Sequence, residues 1–223
     1  MVILISFTSL PVIVEEGEGE ELHEAKPFLE RMWSLFAEKE LMAGVFAQFC
    51  YVGAQACIWG FFILFAERVA SMDEKTASGF LIAGSALFMI GRFVGSMLMK
   101  VVSPVRLLTI YSLLNIFLMA LAVFLHGRLP IYALLGVDFF MSIMFPTIFS
   151  LSIRGLGKKT KEGSSLVIMA IVGGAVCAYL LGLLADKTNI QTAYAIPGLC
   201  FVYIFVYARK RLKTEDVVLT AGH

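Results

Sequence analysis

Beyond residue 40 the chain alternates long apolar runs with short polar breaks. The runs fall at about 41–66, 77–99, 104–125, 130–153, 163–185 and 192–208. A hydrocarbon core about 30 Å thick needs ~20 apolar residues of helix at 1.5 Å each. Five runs reach that length and the sixth lies near the lower limit. The pattern predicts an all-α membrane protein built as a six-transmembrane-helix bundle over 41–208, with 209–223 as a polar tail.

Before residue 40 the pattern changes. Residues 1–14, MVILISFTSLPVIV, are apolar but too short to span. They have no positive n-region and no small-residue cleavage site, so a signal peptide fits poorly. Pro11 suits a helix end, and the stretch reads as the end of a truncated transmembrane helix. Residues 15–40 are acidic: nine of the seventeen acids lie between Glu15 and Glu40. Within them Phe28, Leu29, Met32, Trp33, Leu35 and Phe36 recur at helical spacing. That predicts a short amphipathic helix along the inner membrane interface, with a solvated linker as the alternative.

Composition agrees. Apolar residues make up 59% of the chain and charged residues 16%, where soluble domains carry about 25% charged. The net charge is +1 and no basic patch exists outside short loops, which excludes a nucleic-acid partner. Cys50, Cys57, Cys177 and Cys200 lie inside apolar runs without metal-ligand spacing, and read as small packing residues.

Charge also orients the bundle. Thirteen Lys and Arg residues lie in 15–40, 100–106, 154–161 and the tail after 208; four, Arg68, Lys75, Arg128 and Lys187, lie in the alternate loops. By the positive-inside rule the richer set is cytoplasmic, and acids count little. Both ends of the bundle are then expected on the cytoplasmic side of the cell (inner or plasma) membrane.

Polar residues inside spans are costly and tend to face a cavity or a partner helix. Gln48, Tyr51, Gln55 and Trp59 follow spacings of three, four and four, so they share one face of the first span. Gln48 lies roughly 10 Å and Gln55 roughly 21 Å from the span's start, straddling the midplane. Two amides suit sugar hydroxyls, and a phenol or indole offers a flat apolar face. Interhelical hydrogen bonding explains the same spacing equally well. Asn115 lies near the middle of the third span and could line the same cavity or join two helices.

Three further positions are candidates for gating or ion chemistry. Asp138 sits in the outer third of the fourth span, as a proton or cation site, a group reaching water, or a partner of Arg92. The last is doubtful on depth, which separates the two by roughly 10 Å. Arg92 lies inside Gly91-xxx-Gly95, a pattern that permits close helix contact. Pro146 removes a backbone hydrogen bond and should bend the fourth span, as Gly173 and Gly174 should loosen the fifth. Bent helices near the midplane mark transporters that rock about a central site.

Enzyme signals are weak. His23, His126 and His223 are isolated and form no zinc motif. GLGKKT lacks the first glycine of a phosphate loop, since Ser152 stands there, and Lys159 occupies the Ser/Thr position. No catalytic residue, metal site or cofactor is expected.

QFCYVGAQACIW (Gln48–Trp59), IGRFVGSMLM (Ile90–Met99), FMSIMFPTIFSLSIRGLG (Phe140–Gly157), EGSSLVIMAIVGG and GLLAD (within Glu162–Asp186) occur in this order. Together they resemble the C-terminal half of the fucose/glucose/galactose permeases of the major facilitator superfamily. The resemblance covers 41–208, with 15–40 matching the family's central cytoplasmic loop. It implies half of a twelve-helix fold, a sugar substrate, a proton as coupling ion and a missing N-terminal six-helix half as partner. The family's coupling carboxylates belong to that other half. The face Gln48, Tyr51, Gln55 and Trp59 matches the helix that contributes to the sugar cavity. Two departures stand out: Asp138 occupies a place where an uncharged residue is expected, and Met99 replaces the acid of a superfamily loop signature. The reading is one half of a proton-coupled sugar symporter, inactive alone, with a non-transporting scaffold or sensor as the alternative.

Overall fold

The computed structural model describes residues 35–221, with side chains to residue 214. The apolar start, the acidic segment to residue 34 and most of the expected amphipathic helix lie outside the described residues. Those described form ten α-helices: α1 (Lys39–Gly60), α2 (Phe62–Ala70), α3 (Glu74–Leu98), α4 (Pro104–Phe124), α5 (Leu129–Met141), α6 (Met144–Ile153), α7 (Thr160–Met169), α8 (Gly173–Lys187), α9 (Ile190–Ala193) and α10 (Ala195–Ala221). They make six rods long and apolar enough to cross a bilayer. Several spans are broken rods, which is why there are more helices than spans.

Helix starts are set by short polar side chains. Asp73 caps α3, accepting from the Thr76 amide (3.1 Å) and the Thr76 hydroxyl (2.7 Å), and the hydroxyl above all holds its carboxyl below the usual range. Ser103 caps α4 ahead of Pro104, and Asn189 caps α9. The α4 carboxyl end is closed by Gln191, whose Nε2 donates to the Ala122 and Leu125 carbonyls.

The breaks have local causes. Pro146 cannot donate to the Ser142 carbonyl four residues back, and α5 gives way to α6 at Ser142–Ile143. Two hydroxyls satisfy carbonyls there: Ser142 donates to Phe139 (2.7 Å) and Thr147 to Ile143 (2.7 Å). The fifth span tightens into a 3₁₀ turn at Ala170–Val172, just before Gly173. The first span breaks at Phe61, and the Tyr194 hydroxyl donates to the Ile58 carbonyl in the last turn before it (3.2 Å).

α1 is central, packed on α6, α8 and α10; α4 lies between α5 and α10, and α3 leans on α5. Glycines let the helices touch. A side chain at Gly91 would run into the Phe139 carbonyl and the Ser142 hydroxyl, and one at Gly95 into Ile143. The Gly91-xxx-Gly95 pair thus seats α3 on the α5–α6 break. The outer face of α3 exposes Ile82, Met89, Phe93 and Met97, a surface made for lipid or another apolar bundle.

The basic segments gather at one end. Lys159 pairs with Glu38 (3.2 Å), and Arg211 bonds the carboxylate and carbonyl of Glu40. Leu35 is buried there with Leu41, Leu166 and Val167, while Phe36 is about half exposed.

Candidate functional site

The first span carries its polar face across two environments. Gln48 and Tyr51 are sealed inside the bundle, whereas Gln55 and Trp59, one and two turns further on, are partly exposed. Among the described residues neither the Gln48 amide nor the Tyr51 hydroxyl has a hydrogen-bond partner. The Tyr51 ring meets Phe145 edge-on at 6.0 Å. Asn115, on α4, is also fully buried; its Nδ2 points at the Met144 sulfur (3.9 Å) and its Oδ1 has no partner. These three side chains keep donors and acceptors that water or a hydroxyl-bearing ligand could use.

Trp59 is the best-anchored member. Its indole Nε1 donates to Asp138 Oδ1 at 2.8 Å, across 79 residues of sequence. Its ring meets Phe88 edge-on at 5.2 Å and 74°. Phe88 in turn lies under the Arg92 guanidinium, 5.5 Å from the ring centroid. Helices α1, α3 and α5 thus converge on one indole.

Asp138 is 1% exposed, so it does not reach water, and it forms no ion pair with Arg92 among the described residues. Among the described residues, Trp59 and Phe88 link the two. The far side of the carboxylate packs directly against α3 because position 84 is glycine: a Cβ there would collide with Asp138 Oδ2. Sequence reasoning did not single out Gly84 or Phe88. The signal was present, since Gly84 lies seven residues before Gly91 and extends the same small-residue stripe.

Pro146 lies elsewhere. With Met99, Pro104, Thr147, Ser150 and Arg154 it lines a groove of about 310 Å³ near the basic end. The structure therefore unites Trp59, Arg92 and Asp138, places Gln48, Tyr51 and Asn115 in the interior, and sets Pro146 apart. Among the described residues no cluster of His, Cys, Asp or Glu could hold a metal ion.

Six spans, several of them broken, packed through glycines around buried polar groups, make a membrane bundle of the kind transporters are built from. The comparisons bear this out. No family model matches the chain. It is 36% identical over 214 residues to the L-fucose-proton symporter of Escherichia coli (strain K12), covering 95% of this chain and 48% of that protein. It is 38% identical over 188 residues to a putative glucose/galactose transporter of Helicobacter pylori (strain J99 / ATCC 700824), covering 82% and 46%. The crystal structure of the E. coli fucose:proton symporter FucP superposes with a TM-score of 0.83 at 37% identity, covering 94% of this chain and 51% of that one. The chain belongs to the major facilitator superfamily, with the fucose and glucose/galactose transporters, and corresponds to their C-terminal half. It spans about half the length of the curated relatives it matches.

Proposed function

We propose that this chain forms one wall of a proton-coupled sugar symporter, working with an N-terminal six-helix half, on L-fucose or a related hexose. The observation that supports it most is the shared fold at 37% identity with a fucose:proton symporter across nearly the whole chain. Gln55 and Trp59 are the groups that meet the sugar: the indole offers an apolar face and the amide bonds hydroxyls. Gln48, Tyr51 and Asn115 form the polar layer behind them. Alternating access needs both walls, so the bundle alone does not complete a transport cycle.

The test is thermal stability of the purified chain with L-fucose, glucose or galactose. At least one sugar should raise Tm, and Gln55→Ala should remove the rise. A Tm indifferent to all three sugars would count against the reading and favour a scaffold or sensor.

We further propose that the end carrying Glu38, Lys159 and Arg211 is cytoplasmic, from the positive-charge bias. A cysteine at Lys159 should react with an impermeant maleimide only after the cytoplasmic side is opened, and one at Lys75 from outside in intact cells. All four native cysteines are buried, which keeps the background low. The reverse labelling pattern would invert the assigned topology.

A further inference from the structure

We propose that Asp138 is a proton-binding site carried by this bundle, and that the Trp59 indole reads its occupancy. A carboxylate inside a membrane span needs a countercharge or several donors. Among the described residues Asp138 has one neutral donor, Trp59 Nε1 on Oδ1. Its Oδ2 faces Gly84, with the Leu135 side chain beside it. A proton on Oδ2 neutralises the group and leaves Oδ1 in place as a weaker, uncharged acceptor for the Trp59 N–H, because the two oxygens are used separately.

The surrounding groups leave that role to a proton. Arg92 is eight residues beyond Gly84 on α3, about 12 Å along the helix, and its guanidinium is engaged over Phe88. Tyr51 on α1 packs edge-on against Phe145, and the Tyr194 hydroxyl, in the turn before α10, donates to the Ile58 carbonyl. Tyr111 on α4 packs on Phe140, two residues beyond Asp138. Phenols stay neutral across the physiological range. Glu67 and Arg68 on α2, and Glu74 and Lys75 at the start of α3, are exposed at the end of the bundle. Arg106 and Arg154 belong to the opposite end.

The geometry also supplies a readout. Ionised Asp138 holds the indole N–H as a charge-assisted acceptor. Protonated Asp138 holds it more weakly. A change of charge at one buried oxygen therefore reaches a partly exposed aromatic face. Only the consequence for transport rests on reading Trp59 as part of the sugar wall; proton binding itself does not.

The experiment is tryptophan fluorescence of the full chain with Trp33→Phe, leaving Trp59 as the reporter, titrated from about pH 4 to 9 without sugar. Trp59 emission should change in a single step, and Asp138→Asn should flatten it while keeping the helical circular dichroism. Should Asp138→Asn not fold, Gly84→Ala serves instead: its methyl group pushes on Oδ2 and should move the midpoint by roughly half a pH unit or more. Glu74→Gln should leave the midpoint in place. An unchanged step in Asp138→Asn, no step in the parent, or an unmoved midpoint in Gly84→Ala would overturn the proposal. A failure of sugar binding would leave this sugar-free titration intact, so the two readings fail separately.

Discussion

Replacing Gly91 with valine will leave little folded bundle to purify. The added side chain meets the Phe139 carbonyl and the Ser142 hydroxyl, which are fixed at the α5–α6 break. Backbone cannot swing aside as a flexible side chain can, so the cost sits at or above the upper end of the usual ~1–3 kcal/mol for overpacking. Gly79 on the same helix provides the contrast, because nothing lies within 4 Å of a Cβ there. Gly79→Val should purify with nearly the parent Tm, while Gly91→Val should give aggregated protein or a Tm lowered by many degrees. Size-exclusion profile and thermal unfolding in detergent check both.

Trp59→Ala should have the largest effect on function. It removes the aromatic face proposed for the sugar, the Phe88 edge contact and the donor to Asp138 together. Losing a hydrogen bond to a charged group costs about 1.5–3 kcal/mol, and losing an edge-to-face aromatic pair adds roughly 0.5–1.5. Sugar affinity should fall at least about tenfold, equivalent to ~1.4 kcal/mol. Trp59→Phe keeps a ring and drops the N–H, so it should retain most of the sugar-dependent rise in Tm while losing the coupling to Asp138. Equal loss in both variants would mean that the N–H, not the ring face, carries sugar binding.

What the sequence revealed follows from the reach of its signals. Span number depends on runs of about 20 apolar residues, a local property, and all six appear as helical rods. Pro146 announced a bend, and the helix opens four residues earlier because Ser142 loses its donor. The break at Phe61 had only Gly60 beside it, and a single glycine in an apolar helix does not distinguish a break from close packing. Spacing correctly put Gln48, Tyr51, Gln55 and Trp59 on one side of a helix. It could not tell that the first two would be sealed inside and the last two partly exposed, since that depends on which helices cover each level. The Trp59–Asp138 bond was out of reach for the same reason: helical periodicity gives faces, not neighbours. Depth did warn that Arg92 and Asp138 would not pair, and the structure spans that gap with two rings.

Uptake of labelled sugar decides whether this bundle is half of a sugar symporter. L-fucose, glucose and galactose should be offered to cells lacking their own permeases that express this chain alone, an N-terminal six-helix half alone, or both. At least one sugar should accumulate only with both halves present, and Trp59→Ala should abolish that accumulation in a chain that still reaches the membrane. Equal uptake by this chain alone, or no uptake of any of the three when both halves are in the membrane, would contradict that reading.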